Sequence, residues 1–229
     1  MNVILKYIEC EEYKICEAAV IGSFNGYDAN KGRMNKQGNE WRFECSLPTG
    51  VYHYRFLINK KLLLNDPWNN LFEQKEGHEL WSVLYINKQG LRLCNPEVYH
   101  PTIKRCELAG KIKLANKLRK NYLDLLKMDE ITATLYFDKL YGLHTVTAAW
   151  YLPNGELFSC KEQMVYASLL YDGQEVRFSL ESKEVLKRGT EGKWIVVLFF
   201  DGAYYIKKEF IVQKDCIKTY FEKGQKLHS

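Results

Sequence analysis

Proline is scarce in this sequence of 229 residues, at 5, and glycine, at 15, is not enriched, which excludes collagen-like and linker-dominated architectures. The longest uninterrupted apolar run, Trp194-Ile195-Val196-Val197-Leu198-Phe199-Phe200, is far short of the roughly 20 residues of a membrane-spanning helix. Met1 to Ile8 is broken by Lys6 and runs into Glu9, Glu11 and Glu12. No secretory signal is therefore read there. The 7 cysteines, Cys10, Cys16, Cys45, Cys94, Cys106, Cys160 and Cys216, are odd in number and scattered, with no Cys-x-x-Cys pair. That pattern speaks against a disulfide framework and for reduced thiols, so a cytoplasmic location is expected.

One-signed charge is lacking as well. A formal net charge of +5, from 33 basic and 28 acidic side chains, demands neither a nucleic-acid nor a membrane partner. The 5 histidines, His53, His78, His100, His144 and His228, stand singly, with none at the spacing of a metal-ligating pair. No nucleophile elbow, phosphate loop or dinucleotide fingerprint is present. No carboxylate pair is singled out for glycoside hydrolysis. A non-enzyme without metal or cofactor is the expectation.

Aromatic residues, by contrast, make up 14% of the chain, with 16 tyrosines, and aromatics favour pleated, half-buried surfaces. Alternation of polar and apolar residues dominates. It is clean in Glu40-Trp41-Arg42-Phe43-Glu44-Cys45-Ser46-Leu47 and in Val51 to Asn59, and returns in Trp81 to Asn87. Later strands are expected at Ile131 to Phe137, His144 to Tyr151 and Val176 to Leu180. Trp194 to Phe200 follows, with a hairpin at Asp201-Gly202 onto Tyr204 to Val212. Pro153-Asn154-Gly155 reads as a turn, since Pro fixes φ while Asn and Gly tolerate positive φ. A run as apolar as Trp194 to Phe200 belongs where both faces are buried or at the centre of a sheet.

These signals give an all-β fold of two immunoglobulin-like sandwiches in tandem, over 1–92 and 105–229, joined by a linker at 93–104. Asn95-Pro96 and His100-Pro101 mark that connection. From Lys104 to Met128 the pattern fits either an amphipathic helix or a strand, and Lys214 to Ser229 either a short helix or a loose basic tail. Trp41, Trp150 and Trp194 read as packing residues.

One ordered set of motifs is specific. A strand ends in Gly22-Ser23-Phe24-Asn25-Gly26-Tyr27. Leu47-Pro48-Thr49-Gly50 then turns into Tyr52-His53-Tyr54-Arg55-Phe56, Asn65-Asp66-Pro67 follows a short hairpin, and Ser82-Val83-Leu84-Tyr85-Ile86 is the final strand. From Glu17 to Asn87, about a third of the chain, this order resembles carbohydrate-binding module family 48. Such modules are the glycogen- and starch-binding domains of AMP-activated protein kinase β subunits and of glucan branching and debranching enzymes. The resemblance implies a β-sandwich that binds α-glucan by stacking aromatic rings on glucose, helped by a basic residue and amides. A flat ring supplies large contact area at little entropic cost, and a few polar groups fix orientation.

Carried over residue by residue, the resemblance puts Tyr27 at the first stacking position and Arg55 at the basic one, with a planar fork in place of an ammonium. The second stacking position holds Leu63, which offers no ring. Final-strand ligand positions correspond to Glu79 and Trp81, and Trp81 reads equally as a displaced platform or as core. Trp68, beside Asn69 and Asn70, is a further platform candidate, and Asn25 and Asn70 are the candidate amides. The expected function is non-catalytic α-glucan binding through Tyr27, Arg55, Trp68, Trp81, Asn25 and Asn70. The competing expectation, prompted by Leu63, is a protein-interaction or scaffold protein that has lost sugar binding.

Overall fold

A computed structural model describes residues 1–75, 79–93, 102–112, 128–167, 174–188, 190–212 and 217–219. The first half carries β1 (Asn2–Ile8), β2 (Ala18–Gly22), β3 (Asn35–Gln37), β4 (Glu40–Ser46) and β5 (Gly50–Ile58). It continues with β6 (Leu62–Leu64), β7 (Phe72–Gln74), β8 (Leu80–Ile86) and β9 (Arg92–Leu93). The second half carries β10 (Thr102–Ile112), β11 (Met128–Lys139), β12 (Gly142–Tyr151), β13 (Leu157–Ala167) and β14 (Glu175–Glu181). A short helix, α1 (Ser182–Arg188), precedes β15 (Gly192–Phe200), β16 (Ala203–Val212) and β17 (Ile217–Thr219).

All pairings between these strands are antiparallel, and each half is built from two sheets. In the first, β1-β4-β3 faces β2-β5-β8-β7, with β6 paired to β5 and β9 to β8. In the second, β10-β11-β14 faces β13-β12-β15-β16-β17. The all-β sandwich reading is the observed one. The ambiguous stretch after Lys104 is β-strand as far as Ile112; positions 113–127 lie outside the described residues, as does most of the basic tail.

Alternation decides which side chains enter each core. Val3, Leu5 and Tyr7 of β1, with Trp41, Tyr54, Phe56, Ile58, Leu84 and Ile86, fill the first core. Trp150 and Trp194 are fully buried in the second, with Phe137, Phe178 and Phe210. All three tryptophans read as packing residues from the sequence are buried.

The run Trp194 to Phe200 is covered on both faces. Trp194, Val196 and Leu198 point into the second core. Val197 and Phe199, with Ala149 of β12, belong to the first. The large sheet of the second sandwich thus packs its own core on one side and the first module on the other. Polar contacts pin the seam. The Tyr7 hydroxyl donates to the Gly202 carbonyl at 2.7 Å, the Tyr13 and Tyr151 hydroxyls share a hydrogen bond of 2.8 Å, and Lys61 pairs with Glu156 at 3.2 Å.

At the far end of that hairpin, His144 is buried between two acceptors, the Asp201 carboxylate at 2.7 Å and the Tyr141 carbonyl. A carboxylate and a carbonyl have no proton to give, so this pair of contacts favours the doubly protonated ring. Burial disfavours that charge, but Asp201 and the Tyr141 carbonyl outweigh it and raise the pKa above its ordinary value. A raised folded-state pKa contributes stability that is complete below the unfolded value of about 6.5 and disappears as pH climbs through the folded value. Urea unfolding from pH 5.5 to 8.5 is expected to lose this increment in the wild type. In His144→Gln the increment is absent throughout; an unchanged pH slope in that variant refutes the assignment.

Candidate functional site

The turn after β2 is made by the residues that gave the motif its signature. A Cβ on Gly22 would come within 2.8 Å of the His53 carbonyl oxygen and 2.9 Å of the Phe24 and Tyr54 side chains. Only glycine lets β2 lie so close to β5. Phe24 packs among Phe43, Tyr52 and Tyr54, with ring centroids 6.0 to 6.4 Å away. Asn25 spends both ends of its amide on the turn: its Oδ1 accepts from the Gly22 amide at 3.0 Å, and its Nδ2 donates to the Val20 carbonyl at 2.8 Å. Asn25, expected to meet ligand, is thus a turn-building residue.

This turn delivers Tyr27 to the surface in a left-handed backbone conformation, φ 59°, with its amide donating to the Gly22 carbonyl at 2.9 Å. A non-glycine residue there costs on the order of 1 kcal/mol. The residue is 46% exposed. Strain and an exposed apolar ring are both unfavourable for the fold, a combination that concentrates at functional positions.

Beside Tyr27 stands Trp81 of β8, half-buried, its ring meeting the tyrosine edge to face with centroids 5.5 Å apart and planes at 86°. Behind Trp81 lies Arg55 of β5, whose guanidinium carbon is 5.8 Å from the indole centroid. Tyr27, Trp81 and Arg55 therefore form one cluster.

Arg55 itself is placed otherwise than a solvent-facing ligand residue. It is 3% exposed, and its Nη2 contacts the Glu162 carboxylate of β13 and donates to the Leu63 carbonyl at 3.3 Å. A guanidinium taken out of water needs a counter-charge, and the second sandwich supplies it. Burial pushes the Glu162 carboxyl up, only partly countered by Arg55. Sequence reasoning missed Glu162 because nothing local marks a carboxylate that answers a cation 107 positions away.

Trp68 belongs to another surface. It is 67% exposed and borders a groove of about 390 Å³ with Ile4, Lys6, Ile8, Glu40 and Arg92. Asp66 holds the loop beneath it. Its Oδ1 accepts from the Trp68 amide at 2.9 Å, while its Oδ2 accepts from the Tyr54 hydroxyl at 2.5 Å. Burial raises the Asp66 carboxyl above the usual range, and Ser82 and Asn69 complete the buried network. The Asn-Asp-Pro motif is thus a structural knot. Asn70 is half-buried beside it.

Among the described residues no group of histidine, cysteine and carboxylate side chains is disposed to hold a metal, and no helix is long and apolar enough to cross a membrane. No curated protein matches the chain. Among solved structures, a maltogenic amylase from S. marinus aligns over 96% of this chain and 28% of its own, at 12% identity and a TM-score of 0.30. The chain thus spans little more than a quarter of that protein's length, and a likeness so distant bears on neither fold nor function. Residues 12–89 match the family model of the glycogen recognition site of AMP-activated protein kinase, the carbohydrate-binding family to which the motifs from Gly22 to Ile86 point.

Proposed function

We propose that this protein is a non-catalytic α-glucan-binding protein whose ligand platform is the Tyr27–Trp81 pair. The observation that carries the reading is the exposed, left-handed Tyr27 ring braced edge-on by Trp81, within residues that match a glycogen-recognition model. A pyranose presents a C–H face and equatorial hydroxyls. An exposed ring meets the first, and neighbouring polar groups meet the second. Arg55 serves this platform by backing Trp81, with its charge engaged by Glu162. One such platform binds weakly, so retention on a branched polymer rests on many simultaneous contacts. The free thiols of Cys10, Cys16, Cys45, Cys106 and Cys160 fit a reducing, cytoplasmic compartment.

Affinity electrophoresis in gels containing glycogen or amylopectin tests the reading. Wild type is expected to be retarded relative to albumin, and Tyr27→Ala to lose most of that retardation, a drop of roughly tenfold or more in apparent affinity. Trp68→Ala is expected to keep it, because Trp68 lies on another surface. Equal mobility of wild type and albumin ends the proposal.

A second reading, a protein-interaction role, is favoured by Trp68 with its neighbours Ile4 and Ile8, 42% and 44% exposed, lining one groove. Exposed apolar residues gathered in one concavity mark interaction surfaces. Recovery of the same partner from lysate with and without glycogen, abolished by Trp68→Ala, is the result this reading requires.

A further inference from the structure

We infer that Glu162, in the second sandwich, is a positioning residue for the ligand platform of the first, holding the Trp81 indole against Tyr27 through Arg55. The inference rests on the α-glucan reading above and names the part of that site which lies outside the family's residues. The chain of contacts is continuous. Thr147 Oγ1 of β12 donates to Glu162 at 3.4 Å, Glu162 contacts Arg55, the Arg55 guanidinium lies over Trp81 at 5.8 Å, and Trp81 meets Tyr27 at 5.5 Å.

The mechanics follow from the guanidinium. Its donors radiate from a rigid plane, so the acceptors that engage them fix the orientation of the whole group. Two acceptors engage Nη2, the Leu63 carbonyl of the first half and the Glu162 carboxylate of the second. A backbone carbonyl offers the guanidinium only a dipole, whereas the carboxylate adds a full counter-charge to its hydrogen bond. Glu162 therefore dominates where the plane lies, and the plane sets the wall on which Trp81 rests. Because β13 belongs to the sheet that also packs Val197 and Phe199 into the first core, Glu162 is fixed by the inter-sandwich packing itself. Neither half holds this arrangement without the other.

The test uses the full chain. In Glu162→Gln the side chain keeps its shape and loses its charge. Two quantities are read: retardation in glycogen gels, and the indole N–H resonance of Trp81, assigned by its disappearance in Trp81→Phe. The expected result is a roughly three- to tenfold loss of apparent affinity with a displaced Trp81 resonance. In an Arg55→Met background, Glu162→Gln is expected to cost much less affinity than it does in wild type, because the path through Arg55 is cut and only the contact of Glu162 with the Leu80 backbone is left.

An unmoved resonance overturns the inference, as does an affinity loss of undiminished size in the Arg55→Met background. Tighter glycogen binding in Glu162→Gln also overturns it, making Glu162 a cover instead. Should wild type show no retardation, the α-glucan reading fails while the resonance still decides whether Glu162 sets Trp81. Should Glu162→Gln not fold, Thr147→Val withdraws only the hydroxyl that donates to Glu162. It is expected to displace the resonance in the same direction by a smaller amount, and no displacement there is equally fatal.

Discussion

Gly202→Ala is expected to destabilise the protein by roughly 3–5 kcal/mol, lowering the melting temperature by on the order of 10 °C, while Gly155→Ala costs only about 1 kcal/mol. The two glycines share a conformation, φ 84° and 83°, so the penalty of a left-handed alanine is common to both. They differ in what surrounds them. A Cβ on Gly202 would lie 1.9 Å from the Asn65 carbonyl oxygen, a backbone atom that cannot step aside, whereas a Cβ on Gly155 meets nothing within 4 Å. The alanine must push the β15–β16 hairpin off the first sandwich. That displacement also withdraws the acceptor of the buried Tyr7 hydroxyl and disturbs Phe199 against Tyr13, now 5.2 Å apart. Urea unfolding followed separately by tryptophan fluorescence and far-UV circular dichroism checks this. Coincident transitions, shifted far more by Gly202→Ala than by Gly155→Ala, are expected from a shared core. Equal shifts in the two variants refute the inter-sandwich origin of the effect.

That hairpin also shows where sequence reading succeeds. Trp194 to Phe200 alternates nothing, and unbroken apolarity means a strand buried on both faces; what covers the second face is the first module. Strands β4, β5, β8 and β11 were legible because one face of each meets a core and the other meets solvent or polar neighbours, and β12 because its apolar and β-branched residues fit a strand covered on both faces. Others were not, β1 and β13 among them. In β1 the outward residues Ile4 and Ile8 are apolar, which blurs the alternation. In β13 the face toward the first module carries Glu162 as well as Leu157, a carboxylate where the pattern asks for an apolar side chain. The helix Ser182–Arg188 is seven residues long, too short to display a period.

The candidate site divides along the same line. Tyr27 and Trp81 could be singled out as candidates because a ring after Gly-Ser-Phe-Asn and a ring on the final strand are local features. The state of Arg55 was not, since its burial and its partner are set by packing between segments remote in sequence. Asn25 shows the converse: its type suits a hydroxyl ligand, yet the tight turn consumes both ends of the amide.

Arg55→Met is the second large effect. Removing the cation leaves Glu162, with a side chain 15% exposed, ionised and without its counter-charge inside the seam. Breaking one side of a buried pair costs about 3–5 kcal/mol. The pH dependence follows from the carboxyl. Burial already raises its pKa and Arg55 opposes that rise, so losing Arg55 raises it further. Protonation then removes the offending charge. The deficit of Arg55→Met relative to wild type is complete above the folded-state pKa and shrinks as pH falls through it. Paired urea titrations at pH 7.5 and 5.5 are expected to show a smaller gap at the lower pH. In Arg55→Met/Glu162→Gln no charge is left to bury, and the gap is expected to lose its pH dependence altogether. A deficit of equal size at both pH values in the single variant means that lost packing by the Arg55 stem, and not an orphaned carboxylate, accounts for the cost.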